Sequence, residues 1–208
     1  MKTHSKLPVV GVLIANTTSR RSCCNEKWAK KLMGRSVLSH VIERVSPQVS
    51  TLIINANGDP TRFQDTGLPV VPDALDEHPG ILTGILTGME WANAYDPDCE
   101  WIATFSTDYP FIPENLVLKL RTELERQHAD MAYVSCAGKP HPQFGLWPIE
   151  LEEDLRNALL EDDIRCLDKW AELYHTVVVD YPSEPIDLFT YNNYIDGIVG
   201  VTQNAVLH

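Results

Sequence analysis

The sequence has no long hydrophobic run and no paired cysteine motif. Its longest apolar stretch near the start, residues 9–15, is far too short to span a bilayer. The five cysteines are odd in number and show no CxxC spacing, so the sequence predicts neither a disulfide framework nor a zinc site. These absences lead us to expect a cytoplasmic protein without a membrane partner.

Positive charge is also scarce. Lysine and arginine total 17 against 29 aspartates and glutamates, which gives a formal net charge of -12. Such a surface repels phosphate backbones, so we exclude nucleic acid as a partner. A small anionic ligand can still bind where local cations and backbone N–H groups outweigh the global field. The 208 residues, 44% of them hydrophobic, suit one α/β domain over 1–208.

Short apolar runs alternate with amphipathic stretches along the whole chain. This alternation predicts an α/β fold, a three-layer αβα sandwich with a mostly parallel, Rossmann-like sheet. Strands are predicted at 9–15, 51–55, 68–71, 101–105, 131–135, 144–147 and 176–180, with a turn at 138–140. Helices are predicted at 36–45, 81–94, 113–127, 151–160 and 164–173, and a short one after Asn193. Pro113 is taken to open its helix because proline favours the first helical position.

Ligands of such sheets bind at the carboxyl ends of the strands, and the loop after the first strand carries three cations there. Arg20, Arg21 and Lys27 would suit a triphosphate, since each can neutralise part of its charge. However, the loop has no P-loop or GxGxxG pattern. From the residues alone, a solvated loop with ordinary surface cations is the favoured interpretation.

Carboxylates and amides follow the other predicted strands. Asp108 comes just after a buried strand, where it either binds Mg²⁺ or forms a turn before Pro110, and the two interpretations are evenly balanced. The segment 55–59 (NANGD) favours an ordinary turn. Asp73 and Gly80 are ambiguous alone. His141 is placed in a loop with no nucleophile beside it.

Two kinds of residue are assigned to the interior rather than to a site. Met89, Trp91 and Trp101 are of types that usually pack in a core, so we interpret them as core residues and not as ligand contacts.

The order of these segments resembles the MobA family, the molybdenum cofactor guanylyltransferases, from about residue 9 to about residue 198. The first loop stands where that family has LAGGxSxRMGxxDK, and Asp108 lies where it has PCDTPF. The matching segments are 14–27 (IANTTSRRSCCNEK), 34–35 (GR), 55–57 (NAN), 68–73 (LPVVPD), 79–84 (PGILTG), 106–111 (STDYPF), 141–147 (HPQFGLW) and 189–193 (FTYNN).

The resemblance implies transfer of GMP from GTP to the phosphate of molybdopterin, with release of pyrophosphate. By position, Asp108 would hold Mg²⁺ and Lys27 would bind the GTP phosphates as the second catalytic residue. The remaining nucleotide contacts would be Ile14, Ala15, Asn16, Arg20, Arg21, Asn55, Asp73 and Gly80, with Asn193 on the pterin side. Such an in-line displacement needs a metal and cations rather than a covalent nucleophile. Other proteins of molybdenum cofactor biosynthesis, or acceptor proteins, are the expected partners.

The first loop departs from the family pattern. Asn16 and Thr17 replace its two glycines, and a β-branched residue at positive φ costs roughly 1–2 kcal/mol. Cys23 and Cys24 replace glycines further on. We therefore expect a changed loop that binds GTP more weakly. Two alternatives remain: a MobA-like nucleotide-binding or accessory protein with impaired catalysis, or a related transferase for another nucleotide or acceptor.

Overall fold

The computed structural model describes residues 8–15, 27–75 and 80–181, where strands and helices alternate. The strands are β1 (Val9–Ile14), β2 (Lys31–Leu32), β3 (Arg35–Ser36), β4 (Thr51–Asn55), β5 (Val70–Val71), β6 (Trp101–Ser106), β7 (Met131–Cys136), β8 (Lys139–Pro148) and β9 (Thr176–Tyr181). The α-helices are α1 (Val37–Val45), α2 (Ile81–Tyr95), α3 (Leu116–Gln127), α4 (Glu152–Leu160) and α5 (Leu167–Ala171). In the described residues no helix is long and apolar enough to cross a membrane.

Seven of these strands form one sheet in the order β5-β4-β1-β6-β8-β7-β9. The strands from β5 to β6 pair in parallel, and β9 pairs in parallel with β7. Among the described strands of this sheet, β8 alone runs antiparallel to its neighbours. The prediction of a mostly parallel sheet is therefore confirmed.

Helices cover both faces of the sheet because its strands are apolar on both sides. In β1, Val9 and Leu13 join the core under α1 and α3, whereas Val10 and Val12 join the core under α2, α4 and α5. Such continuous burial is typical of a parallel sheet between two helical layers. The αβα sandwich is confirmed.

Helix α2 lies unusually close to β1 and β4. A Cβ atom added at Gly88 would lie 2.5 Å from a methyl carbon of Val12, and one at Gly84 would lie 3.0 Å from both Asn55 Oδ1 and Ile14 Cδ1. Only glycine permits so close an approach of helix and strand. The two glycines thus bring the amino-terminal half of α2 against the carboxyl ends of two strands.

The start of α3 differs from the prediction. The helix begins at Leu116 and not at Pro113, because a tertiary contact supplies its cap. The Gln48 side chain donates to Pro113 O at 2.9 Å and accepts from Val117 N at 3.1 Å. Gln48 lies far away in sequence, so local patterns could not place this boundary.

The hairpin between β7 and β8 also corrects the prediction. Its turn is Ala137–Gly138, with φ of 51° and 74°, so Lys139 and Pro140 lie in β8 rather than in the turn. His141 is not in a loop: it lies in β8 and is 3% exposed. Since β7 is parallel to β6 through the antiparallel β8, this exposed turn lies at the carboxyl edge of the sheet.

One helix in the carboxyl-terminal part of the chain is shorter than predicted. The helix expected over 164–173 covers only Leu167–Ala171. Ile164 N instead bonds Ala158 O at 2.9 Å, which closes the end of α4. The expected helix after Asn193 lies outside the described residues. Met89 is fully buried, while Trp91 and Trp101 are half-buried and pack against the core, as predicted.

Candidate nucleotide-binding site

Three neighbouring strands end together at the carboxyl edge of the sheet. Ile14 of β1 is in register with Asn55 of β4 on one side and with Ser106 of β6 on the other. Ala15 N donates to Asn55 O at 3.0 Å, so the two strand ends stay joined beyond β1. The structure therefore brings Ile14, Ala15 and Asn55 together and places Asp108 after the next strand.

A hydrogen-bonded carboxylate lies at the outer side of this edge. Asp73 follows β5 and is 7% exposed. Asn55 Nδ2 donates to its Oδ1 at 2.9 Å, and Asn57 Nδ2 donates to its Oδ2 at 2.8 Å. Asp73 N in turn donates to Asn57 Oδ1 at 2.8 Å. Amide donors on both oxygens satisfy part of the hydrogen-bonding capacity of this buried carboxylate.

The amino-terminal end of α2 borders the same region. Gly80 precedes the helix, and its carbonyl accepts the first helical bond, from Gly84 N at 3.1 Å. Thr87 Oγ1 donates to Thr83 O at 2.7 Å and accepts from Ala74 N at 2.9 Å. This contact ties the residue after Asp73 to α2. A helix amino terminus presents unpaired N–H groups and a partial positive charge, which favour an anion.

Asp108 lies in a turn that two contacts hold in place. Its backbone N–H donates to Ser106 Oγ at 3.4 Å, and Thr107 Oγ1 donates to its Oδ1 at 3.3 Å. The next residue, Tyr109, meets Phe144 of β8 edge to face at 5.3 Å. The carboxylate is half-buried, so it is fixed yet reachable.

The donor set at Asp108 is compatible with Mg²⁺. Within the described residues, no group of three histidines, cysteines or acids is arranged to hold a metal. Mg²⁺ does not require one, because it usually binds one or two carboxylates, with substrate phosphates and water completing the octahedron. A single half-buried carboxylate at the end of β6 meets that requirement.

Several predicted contacts fall outside this description. Asn16, Arg20, Arg21 and Asn193 lie outside the described residues, so their assignment stays a prediction. Lys27 begins a 3₁₀ helix, Lys27–Ala29, that follows the first loop.

The end of the first loop is anchored just after Lys27. Trp28 packs on Phe63 with ring centroids 4.7 Å apart, and the Arg62 guanidinium lies 5.7 Å from the Trp28 ring centroid. Phe63 is buried in a 3₁₀ helix, Pro60–Thr66, so this stack ties the loop exit to the segment after β4.

Comparison with known proteins now decides the family. Residues 11–177 match the model of the MobA-like NTP transferase domain, which is most of the chain. The chain belongs to this family. A molybdenum cofactor guanylyltransferase of Rhodopseudomonas palustris (strain BisB5) is 42% identical over 91% of this chain and 89% of its own length. One from Nitrobacter hamburgensis is 38% identical over 96% of both chains.

Solved structures agree on the fold. The molybdopterin-guanine dinucleotide biosynthesis protein A of Archaeoglobus fulgidus superposes with a TM-score of 0.66 at 19% identity, covering 95% of this chain and 99% of that one. A CMP:2-keto-3-deoxy-manno-octonic acid synthetase superposes with a TM-score of 0.61 at 12% identity, covering 97% of this chain and all of that one. The MobA-like fold is thus shared by proteins that are named for different products.

The residue pattern alone did not predict that Asn57 contacts Asp73 at the carboxyl edge of the sheet. The segment 55–59 does contain a turn, with Gly58 at φ 87°, and Asp59 Oδ1 accepts from Thr61 N at 2.9 Å. Those bonds to Thr61 hold the pKa of Asp59 below its usual value. Yet Asn55 and Asn57 also reach Asp73, and a contact across 16 to 18 residues leaves no local signal.

A cleft at the opposite edge of the MobA-like domain does not suit a nucleotide. It has a volume of about 840 Å³ and lies beside the first residue of β6, Trp101, and the last of β8, Pro148. Glutamates dominate its charged lining, which also includes Arg156. Burial raises the pKa of nearby Glu90, whose carboxylate pairs with Arg156. An acidic cleft repels a triphosphate, so the carboxyl edge is the better candidate for the nucleotide site.

Proposed function

We propose that this protein transfers GMP from GTP to the phosphate of molybdopterin and releases pyrophosphate. Relatives named molybdenum cofactor guanylyltransferase, 36–42% identical over most of the chain, support this activity. The structural observation that carries it is the Asp73 carboxylate, held between Asn55 and Asn57 at the carboxyl edge. It is the kind of acceptor that a guanine base requires.

Guanine differs from the other bases in the donors on its Watson–Crick edge. Its N1–H and 2-amino groups both donate, whereas adenine and cytosine each present a ring acceptor at the corresponding position. A carboxylate is an acceptor-only group with room for about four hydrogen bonds, so Asp73 can accept from two amides and from a base. A buried carboxylate facing a ring acceptor would be left uncompensated, which penalises the wrong base.

The phosphates would lie between α2 and the first loop. Gly80 at the start of α2 offers backbone N–H groups, and Lys27 with Arg20 and Arg21 would neutralise the triphosphate. Asp108 would hold Mg²⁺, which neutralises charge on the phosphates as the bond to pyrophosphate breaks. Ile14 and Ala15 would line the base, and Asn193 would face the pterin.

The acceptor already carries its nucleophile. A phosphate oxygen of molybdopterin attacks the α-phosphorus of GTP, and pyrophosphate leaves from the opposite side. No serine or cysteine nucleophile is required, and Ser106, the serine beside Asp108, accepts from Asp108 N in the turn. Other proteins of molybdenum cofactor biosynthesis, or acceptor proteins, stay a prediction as partners. A cytoplasmic location stays a prediction.

Replacing Asp73 with asparagine should weaken GTP binding by about tenfold to a hundredfold, because a hydrogen bond to a charged group contributes about 1.5–3 kcal/mol. Binding of Mg²⁺–GTP, Mg²⁺–CTP and Mg²⁺–ATP by calorimetry, side by side, measures it. The native protein should prefer GTP, and Asp73→Asn should lose most of that preference. Asp65→Asn, at an exposed acid, is the control and should bind as the native protein does. A native protein that binds CTP best would instead identify a related cytidylyltransferase.

Restoring glycine in the first loop should strengthen GTP binding. Asn16 and Thr17 stand where the family has glycines, and a threonine side chain resists the positive φ that turns N–H groups toward phosphate. We expect Asn16→Gly/Thr17→Gly to lower the Kd of Mg²⁺–GTP by about tenfold, from relief of roughly 1–2 kcal/mol. Tight binding by the native protein, unimproved by glycine, would show that this loop binds phosphate in another way.

A further inference from the structure

We infer that Asn57 is a positioning residue that sets the preference for guanine by fixing the orientation of the Asp73 carboxylate. This inference rests on the proposed function, because it assigns a role in the recognition of GTP. It concerns a side chain that contacts Asp73 rather than the nucleotide.

Asn57 and Asp73 are joined by a reciprocal pair of hydrogen bonds. The Asn57 amide donates to Asp73 Oδ2 at 2.8 Å, and its carbonyl oxygen accepts from Asp73 N at 2.8 Å. One side chain therefore holds both the backbone and the carboxylate of Asp73. On the other oxygen, Oδ1, the buried Asn55 donates at 2.9 Å. The two amides hold the carboxylate from opposite ends.

Orientation of the carboxylate matters because its terminal torsion is soft. The χ2 angle of aspartate is broadly distributed, so a carboxylate with one partner can rotate. The two guanine donors point in parallel within the plane of the base. A carboxylate accepts from both only when its own plane lies close to that plane, since hydrogen bonds weaken steeply off axis. Asn57 supplies a fixed point on Oδ2, the oxygen opposite the one that Asn55 contacts, and so restricts rotation.

Asn57 is exposed, which distinguishes a role in recognition of the base from a role in stabilising the fold. Asn55 is fully buried between β4 and α2, whereas Asn57 is exposed at the edge. Truncating the exposed Asn57 therefore opens no cavity in the core, and its cost to stability is limited to the lost partner of Asp73, about 1–3 kcal/mol. Loss of the Asn57 amide should leave the protein folded, so that its effect on recognition of the base can be measured.

The test compares GTP with ITP, which lacks only the 2-amino group. Asn57→Leu keeps nearly the size of the side chain and Asn57→Ala shortens it. Both variants remove the donor to Oδ2 and add no charge beside the Asp73 carboxylate. Calorimetry with Mg²⁺–GTP and Mg²⁺–ITP should give a native preference for GTP of about tenfold or more. In Asn57→Leu and Asn57→Ala we expect that ratio to fall below about threefold, with ITP affinity changed less than about twofold.

Asn93→Ala is the matched control, because the Asn93 amide also donates to a carboxylate, that of Glu152, but on the opposite edge. It should keep the native ratio and a similar melting temperature. Asn57 variants that keep the native ratio, while Asp73→Asn loses it, would overturn the inference and leave the proposed function intact. An equal loss of GTP and ITP affinity would also overturn it. A native protein that does not distinguish GTP from ITP and ATP would refute the proposed guanine site as well.

Discussion

Asp108→Ala is expected to lower the rate of GMP transfer by about a hundredfold to a thousandfold. The carboxylate would anchor the metal, and loss of one strong electrostatic contact to developing charge typically costs a factor of about 10²–10³ or more. Asp108 follows β6 in a turn held by Ser106 and Thr107, and it is half-buried. Pyrophosphate release at saturating GTP and Mg²⁺ measures the effect directly.

Two comparisons separate loss of the metal from loss of the fold. Asp98→Ala removes an exposed carboxylate before β6, at the opposite end of the strand, and should retain full activity. Asp108→Glu keeps the charge and should retain part of the activity at raised Mg²⁺. Unchanged turnover in Asp108→Ala would mean that Asp108 only forms the turn before Pro110, which was the competing interpretation.

Gly145→Ala should lower the free energy of unfolding by about 3 kcal/mol, because a methyl group there has no space. Its Cβ would lie 2.1 Å from Cζ2 and 2.5 Å from Cε2 of the Trp147 ring. The ring is fully buried, and its Nε1 donates to Thr104 Oγ1 at 2.9 Å. Gly145 also pairs with Thr104 of β6 and Tyr133 of β7. Neither the ring nor the backbone can move without breaking these contacts. Urea unfolding followed by tryptophan fluorescence measures the loss.

Gly138→Ala provides the contrast for that experiment. Gly138 adopts φ 74°, where alanine is strained, but no described atom lies within 4 Å of an added Cβ. Backbone strain alone should therefore reduce stability by about 1–2 kcal/mol. If both variants lose equal stability, the effect at Gly145 comes from backbone freedom and not from the crowded ring.

The sheet was predictable because its strands carry their signal locally. Each of the predicted strands lies within or overlaps an observed one, since apolar runs such as that of β1 are buried on both faces. Ile14, Asn55 and Asp73 were predictable as neighbours from the rule that strand ends share an edge, together with the family resemblance. The register of β1 with β4 confirms a common edge for Ile14 and Asn55, and the hydrogen bond from Asn55 to Asp73 adds the third residue.

What the sequence did not reveal depends on contacts between distant segments. Helix α3 starts late because Gln48 caps it from another layer. His141 is buried because β8 extends to Lys139, further than the apolar run predicted. Asn57 belongs to a segment whose residue types are those of a turn, but its side chain also hydrogen-bonds to the carboxylate of Asp73. In each case the deciding partner is at least 16 residues away or in another strand.

The Ala137–Gly138 turn lies at one end of the carboxyl edge of the sheet, and this turn can be lengthened. Both residues are exposed, and loop-closure entropy rises by only about 0.6 kcal/mol for each doubling of a flexible loop. At the other end, a Cβ atom added at Gly84 would lie 3.0 Å from both Asn55 Oδ1 and Ile14 Cδ1, so even a methyl group would be resisted. Evolution of related enzymes can therefore lengthen the hairpin without disturbing the opposite end. New specificities would then arise by insertion at one end of the edge, while the other end is inherited nearly unchanged.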